Sequence, residues 1–546
     1  RTRGAALRLA AGVASGLALR RLATRRRGYG GSRPSGGGYG NLSPAEIAAR
    51  TEAKNKRDES TFWSVRERMR RTGPVVRDDR YWSYEERRLF KSAHVSMGIN
   101  FDKYDNIPVE TMGGQGTEEP IETFKELCEK FGLPQELTEN LERCGYDKPT
   151  PVQKYSLPAA MIGSDVMCSA QTGSGKTAAF LVPMVNTILQ EEPREIDEGP
   201  VAPTSVILAP TRELCQQIES EAKRMCFKTR VRAVSVYGGA PAGQQLRDLA
   251  EGCDIAICTP GRLEDFLDRG LLTMEKVKRF TLDEADRMLD MGFEPQIRKI
   301  IEEHGMPPPG TGEDERQTTM FSATFPREMQ DMALDFLDPG YLWIAVGKVG
   351  SVNTNVEQSF VDVTETDRFD ALVHSLEETR GEDGKIAKTL VFANMKSTVD
   401  DICWRLAEKK LSAAPIHGGL QQVDRDRAIT NLKSNRCQVL VATDVAARGL
   451  DLPGIDHVVN FDLPSNSEDY VHRIGRTGRI GNKGMATSMV GFNEGALKDI
   501  VRVLREAREN DETVAEVPDW VEEKAFNSQG RSSSRFSTRS SPPPAF

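Results

Sequence analysis

Ala170-Gln171-Thr172-Gly173-Ser174-Gly175-Lys176-Thr177 is the stretch on which the reading of this chain turns. Small residues let successive backbone N–H groups turn inward on phosphate oxygens, while Lys176 supplies a point charge and Thr177 a hydroxyl suited to Mg²⁺. Upstream, Asp165-Val166-Met167-Cys168-Ser169 reads as a short strand entering the loop. Downstream, Ala178-Ala179-Phe180-Leu181-Val182 reads as an apolar helix whose positive N-terminal end would face the anion. The run occurs once, with alanine at 170 where the generic pattern has glycine. An ordinary surface turn followed by lysine is the bland alternative, and the strand–helix context argues against it. Far downstream, His472-Arg473-Ile474-Gly475-Arg476-Thr477-Gly478-Arg479 brings arginines and close-approach glycines but no phosphate loop. The pair suggests one nucleotide shared between two domains.

Around the loop, from about Pro120, runs such as Ser205–Leu208, Arg232–Val236, Asp254–Cys258, Arg279–Leu282 and Thr319–Phe321 alternate with helical patterns. That alternation predicts an α/β domain with a parallel sheet covered on both faces. The pattern breaks near Gly340 to Asn355 and restarts with Lys388–Phe392, Cys437–Val441 and His457–Phe461. Two tandem parallel-sheet domains are therefore expected, at 119–340 and 356–505, joined by a linker over 341–355. Residues 1–118 read as a basic, Gly-rich and largely flexible extension with short helices, and 506–546 as a flexible Ser/Arg/Pro-rich tail. Ligands of open α/β sheets bind beyond the carboxyl ends of the strands, which is where the polar clusters of this chain fall.

The 546 residues leave room for three or four domains at roughly 150 residues each. A formal charge of −8 argues against a wholly basic nucleic-acid coat. Residues 1–45 hold nine arginines and no acid, so the rest of the chain is nine units more negative than the total. Nine cysteines show no C-x-x-C pair and no zinc spacing, and read as reduced, buried thiols of an intracellular protein. No run of eighteen apolar residues is present, so no membrane partner is expected. Nothing resembles a heptad run, and a monomer is the expectation. Ala5 to Leu19, apolar apart from Arg8 and flanked by arginines, has the texture of an organellar transit peptide. The alternatives are a basic arm and sequence upstream of the true start.

Asp283-Glu284-Ala285-Asp286 follows the strand-like run Arg279–Leu282 and so places carboxylates at a strand's C-terminal end. Asp283 suits a Mg²⁺ ligand and Glu284 a group that orients or deprotonates water. Alone, such a cluster would read as helix capping. A phosphate loop on a neighbouring strand changes that.

AQTGSGKT at 170–177, PTREL at 210–214, GG at 238–239, TPGRL at 259–263, DEAD at 283–286, SAT at 322–324 and HRIGRTGR at 472–479 resemble, in order, the motifs of the DEAD-box RNA helicases. The resemblance covers roughly residues 120 to 505. It implies two RecA-like domains with ATP and RNA bound across their cleft, and an ATP-dependent RNA helicase whose hydrolysis RNA stimulates. The alanine at 170 is the form that family uses. Gly145 to Gln153 resembles its adenine-reading motif, with Gln153 on the base edge, Tyr146 stacking on the ring and Phe124 as the isolated upstream aromatic. An amide can both accept from and donate to adenine, which implies a preference for ATP over GTP.

The same resemblance gives the nucleotide Gln171, Thr172, Gly173, Ser174, Gly175, Lys176 and Thr177, with Asp286 beside them, and Mg²⁺ to Thr177 and Asp283. It gives catalysis to Lys176, Asp283 and Glu284 and to the arginine fingers Arg476 and Arg479, which would meet charge spreading over the γ-phosphoryl oxygens. In the second domain Asp444, Gly449 and Asp451 match a nucleotide-facing motif. Ser322, Thr324 and His472 would couple the domains. RNA contacts are implied at Pro210, Thr211, Arg212, Gly239, Thr259, Gly261 and Arg262, at Thr443, and at Gln422 and Arg425 in a segment that also supports interdomain contacts. Arginines, hydroxyls and bare N–H groups suit phosphates, so binding should be largely sequence-independent.

The segments Gly98 to Glu110 and Glu516 to Trp520 resemble the Ded/Vasa-type branch, which implies work on messenger RNA in translation initiation, ribonucleoprotein or translation factors as partners, and a cytoplasmic, in part nuclear, location. The Arg-rich start keeps an organellar RNA helicase as the alternative. An ATP-gated RNA clamp, a DNA-directed motor and a P-loop kinase share the same nucleotide cradle. Intact Lys176, Glu284, Arg476 and Arg479 argue against dead chemistry but leave slow release, and with it the clamp, as an alternative; a kinase would not need the second domain's arginines, and a DNA motor should be stimulated by DNA.

Overall fold

Apart from one antiparallel edge strand, Val109–Gly113, the strands of the two sheets among the described residues run parallel to their neighbours, and this puts the loops that carry motifs on one edge of each sheet. The computed structural model of the chain describes residues 44–90, 107–114, 119–171, 173–312, 314–347, 355–382, 384–447, 452, 454–478, 483–492, 494–510 and 514–527. Among these described residues the first sheet has eight strands: β1 (Val109–Gly113), β2 (Val166–Ser169), β3 (Ser205–Leu208), β4 (Ala233–Val236), β5 (Ile255–Cys258), β6 (Arg279–Asp283), β7 (Gln317–Ser322) and β8 (Leu342–Val346). Their order is β1-β8-β2-β7-β6-β3-β5-β4, with only β1 antiparallel. The second sheet has β9 (Val356–Asp362), β10 (Thr389–Phe392), β11 (Ala413–Ile416), β12 (Val439–Ala442), β13 (His457–Asn460) and β14 (Gly484–Val490), ordered β11-β12-β10-β13-β14-β9. The expected pair of parallel-sheet α/β lobes is what forms.

The interior strands are mostly four to six residues long and buried, as a sheet covered on both faces requires. One face of the first sheet packs Val166, Cys168, Ile207 and Ile257 against the helices Val152, Phe180, Leu181 and Ile218 belong to. The other packs Val206, Leu208, Phe280 and Met320 against Leu246, Phe266, Ile297 and Met332. The second sheet does the same, with Leu390, Leu440 and Val458 on one side and Val391, Val441 and Val459 on the other.

Several boundaries differ from those the sequence predicts. Leu342–Val346, placed in the linker 341–355, is an inner strand that pairs with β2, so the first lobe runs further than expected. Within the expected flexible extension, the helix Pro44–Thr72 buries Phe62 and Met69, with Phe62 in the first lobe's core, and Glu59 accepts from Arg269 Nε at 2.8 Å. The helix Asp79–Phe90 sets Trp82 edge-on to Phe227, ring centroids 5.5 Å apart, and the Leu89 carbonyl accepts from Arg224 Nε at 2.8 Å. In the expected tail, the helix Asp519–Asn527 buries Val521 and Ala525 against the second lobe, and Lys524 pairs with Asp362 at 2.5 Å. These helices are strongly charged on their outer faces, so mean composition hides a narrow apolar stripe. Residues 1–43 and 528–546 lie outside the described residues.

His457 sits on an interior strand of the second sheet, 2% exposed, with Nε2 2.9 Å from Thr487 Oγ1. Burial pushes its pKa down to about 4. A histidine depressed in the folded state contributes stability that is complete above its unfolded pKa and lost as pH falls through the folded value, so the window here runs from about 6.5 to about 4. Thermal unfolding at pH 7 and pH 4 should show His457→Gln losing less stability on acidification than the unsubstituted protein, by up to about 3 kcal/mol. Equal losses would show that His457 does not set the acid sensitivity.

Candidate active site

The strand order sorts the motifs into two neighbouring groups along one edge. β2, β7 and β6 are adjacent and carry the phosphate loop, Ser322-Ala323-Thr324 and Asp283 to Asp286. β3, β5 and β4 are adjacent and carry Pro210 to Arg212, Thr259 to Arg262 and Gly238-Gly239.

The phosphate loop leaves β2 at Ala170, whose N–H donates to the Ser322 carbonyl at 2.9 Å. Gly173 and Gly175 take left-handed φ values of 84° and 87°. Alternation of that kind turns backbone N–H groups toward a common point, a ready anion nest. A Cβ on Gly175 would lie 2.5 Å from Gln153 Nε2 and 2.9 Å from Thr150 Oγ1, so only glycine fits. Lys176 is buried and its Nζ donates to the Ala170 carbonyl at 3.0 Å, parking the charge inside the loop. Thr177 follows in the first turn of the helix Lys176–Gln190, and Gln171 is exposed. Thr172 lies outside the described residues.

Gln153 is reached through helix capping. Thr150 caps the helix Pro151–Met161, and Gln153 returns its Oε1 to the Thr150 N–H at 2.9 Å, closing a capping box. Gln153 Nε2 then donates to the Gly175 carbonyl at 3.0 Å, and Thr150 Oγ1 to the Ser174 carbonyl at 2.7 Å. The amide expected on a base edge here ties the phosphate loop to the helix beside it. Phe124 is 2% exposed and lies in the first lobe's core, its ring centroid 5.0 Å from that of half-buried Tyr146. It backs Tyr146 and presents no open face of its own.

At the end of β6, Asp283 is 3% exposed and burial pushes its carboxyl up to about 7, against the pull of Lys176. Its Oδ1 accepts from the Glu284 N–H at 3.0 Å. Glu284 adopts φ 52°, ψ 50°, a left-handed conformation that costs a non-glycine residue free energy and is characteristic of functional sites. Asp286 Oδ2 accepts from Ala323 N at 3.1 Å and from Thr324 N and Oγ1 at 3.0 Å each. From the other lobe, His472 Nε2 stands 3.8 Å from the same oxygen. Burial drives the Asp286 carboxyl upward, but the charges of His472, Arg287 and Lys176 outweigh it and hold the group below its usual range.

The second inter-lobe contact involves the expected RNA residues. Arg212 Nη1 donates to Gln422 Oε1 at 3.1 Å, its guanidinium lying over Gly239, where a Cβ would collide with Cζ. Arg425 Nη2 pairs with Glu213 Oε1 at 2.6 Å, both side chains under 10% exposed. Thus Arg212, Gln422 and Arg425 join the lobes in this structure. Sequence reasoning passes over Glu213, because an acid in the first turn of a helix reads as dipole compensation. Thr211 caps that helix, Thr259 Oγ1 accepts from Gly238 N at 3.3 Å, and Arg262 Nη2 donates to the Ala240 carbonyl at 3.3 Å. Pro210 is buried, Gly261 is exposed, and Thr443 is buried at the end of β12.

In the second lobe Asp444, expected in a nucleotide-facing motif, is engaged by an arginine: its two oxygens receive Nε and Nη2 of Arg473 at 2.5 Å each. Arg473, 2% exposed, also donates to Asn394 Oδ1 at 2.9 Å, the Asp462 carbonyl at 2.5 Å and Asn460 Oδ1 at 3.3 Å. One planar fork thereby ties the ends of β10, β12 and β13, a geometry lysine cannot supply. Arg476 is buried in the turn after the helix Ser467–Ile474, and Gly449, Asp451 and Arg479 lie outside the described residues.

A phosphate loop, an acidic strand end and a coupled second lobe define a P-loop nucleoside triphosphatase built from two RecA-like lobes. Family models agree: the DEAD/DEAH box helicase domain matches residues 150–332 and the helicase conserved C-terminal domain residues 367–481. The chain is 34% identical to a DEAD box protein from the hyperthermophile Methanococcus jannaschii, covering 71% of this chain and 98% of that one, with TM-score 0.41. It is 26% identical to Mss116p bound to single-stranded RNA and AMP-PNP, over 76% and 84% of the two chains, with TM-score 0.62. It is also 26% identical to S. cerevisiae Dbp5 bound to RNA and ADP BeF3, over 73% and 97%, with TM-score 0.56. The chain belongs to the DEAD-box family of ATP-dependent RNA helicases.

Arg473→Ala leaves the Asp444 carboxylate without its fork and frees three strand ends. Denaturant unfolding followed in the second lobe should show a loss of about 3–5 kcal/mol. A loss below about 1 kcal/mol would show that Arg473 does not hold these strand ends together.

Proposed function

We propose that the protein hydrolyses ATP when single-stranded RNA holds its two lobes together, and that it separates short RNA duplexes locally as it does so. The observation that carries this reading is the Asp286 carboxylate, which joins the SAT backbone beside the phosphate loop to His472 of the second lobe. A change in lobe contact is thereby felt one strand away from the loop. Arg476, buried near this junction, supplies charge for the γ-phosphoryl oxygens, as does Arg479.

Asp283 and Thr177 offer a carboxylate and a hydroxyl oxygen, the hard donors Mg²⁺ takes alongside phosphate and water. When bound, the ion would neutralise charge developing on the β- and γ-oxygens. Glu284, beside them, orients the attacking water. RNA lies along the ends of β3, β5 and β4 and of β12, where Arg212, Arg262, Thr259 and Thr443 meet the backbone phosphates without reading bases.

ATPase rates with single-stranded RNA, single-stranded DNA or neither, measured beside strand separation of a short RNA duplex, test the reading. RNA alone should stimulate, and hydrolysis indifferent to RNA would reject it. Glu284→Gln should keep ATP and RNA affinity within a few-fold while turnover falls by about 10² or more. Loss of binding would instead make Glu284 a ligand-holding residue.

The messenger RNA role in translation initiation, in the cytoplasm, is proposed on the resemblance of Gly98 to Glu110 and Glu516 to Trp520 to the Ded/Vasa-type branch. RNA crosslinked to the protein in cells should be enriched in messenger leaders. Enrichment in organellar transcripts would favour the organellar reading.

A further inference from the structure

Arg287, one residue beyond the acidic motif, is 2% exposed, so its charge is removed from water in a helix of six residues, Ala285–Asp290. Among the described residues its Nη1 has no hydrogen-bond partner. A buried guanidinium with an unmatched N–H is expensive for a fold. Stability is therefore a poor reason for an arginine at this place.

What the guanidinium faces is Glu284. Arg287 Nε stands 3.9 Å from Glu284 Oε2, and that oxygen is itself buried without a hydrogen bond among the described residues. The backbone explains the approach. Because Glu284 is left-handed at φ 52°, the chain turns directly from β6 into the helix, and Arg287 N donates to the Glu284 carbonyl at 3.0 Å. That turn brings the side chains at 284 and 287 to the same side, as spacing of three does on a helix. Asp286, the other neighbouring acid, already receives Ala323 N, Thr324 N and Thr324 Oγ1 on one oxygen and Arg287 N on the other. It needs no guanidinium to be satisfied.

We propose that Arg287 is a positioning residue for hydrolysis, holding the carboxylate of Glu284 in the orientation from which it addresses the attacking water. The inference rests on the assignment of Glu284 made above. Arg287 is given no contact with nucleotide or RNA; its charge also bears on buried Asp286, and its effect on hydrolysis runs through Glu284. A long charge contact, short of a hydrogen bond, restrains the carboxylate while leaving its oxygens free for water.

The test uses the full chain with Arg287→Gln, Arg287→Met and Arg287→Lys, assayed for RNA-stimulated ATPase, ATP KM, RNA affinity and melting temperature. Gln and Met should lower kcat about tenfold or more, with ATP KM and RNA affinity within about twofold of the unsubstituted protein and the melting transition still well above the assay temperature. Lys, which keeps the charge, should recover a large part of kcat. An unchanged kcat in the Gln and Met variants would overturn the proposal. So would KM rising as kcat falls, a Lys variant as slow as Gln, or failure of the Gln and Met variants to fold, which would assign the guanidinium to the fold. If the unsubstituted protein itself shows no RNA-stimulated hydrolysis, the functional reading fails and not this inference alone.

Discussion

The Asp286 carboxylate is the constraint on which the working geometry depends. It is 4% exposed, and a charge so far from water is tolerable only if several donors converge on it. Three of them come from Ala323 and Thr324 at the end of β7, and His472 approaches from the second lobe. β7 in turn lies between β2, which enters the phosphate loop, and β6, which delivers Asp283 and Glu284. Moving His472 away would leave a buried charge with one fewer partner, so lobe contact and loop geometry share an energetic term.

A second contact works by different physics. Arg425 and Glu213 are both buried, and an ion pair that excludes water loses heavily when either partner is removed while repaying its own desolvation only in good geometry. Arg212, pressed on Gly239 and donating to Gln422, lies alongside. Residues suited to phosphate backbones thus also join the lobes, so RNA that engages them must alter the lobe contact.

Much of this was legible in the chain because the signals are local. The phosphate loop, the acidic motif and most interior strands of both sheets, β8 and β14 excepted, announce themselves by spacing and by short apolar runs. Less legible were elements whose signal is diluted. β11 is Ala-Ala-Pro-Ile, tolerable only at a sheet edge, and β9 alternates as a half-exposed edge strand does. The helices Pro44–Thr72 and Asp519–Asn527 are charged around most of their circumference and bury a thin stripe. The pairing of Asp444 was not legible for a related reason: a carboxylate at a strand end looks the same in sequence whether or not it meets a buried arginine 29 residues away.

The sequence by itself determined the class of chemistry, since a glycine-paired loop with lysine and threonine, and acids at the end of a following strand, are set by spacing along one stretch of backbone. It also determined the two-lobed α/β plan, because apolar periodicity is a property of contiguous residues. Only the tertiary structure decided which polar groups meet across distance: Asp286 with His472, Glu213 with Arg425, Asp444 with Arg473 and Gln153 with the phosphate loop. The reason is that burial removes water as the alternative partner, so each polar group takes the complement that chain topology places beside it.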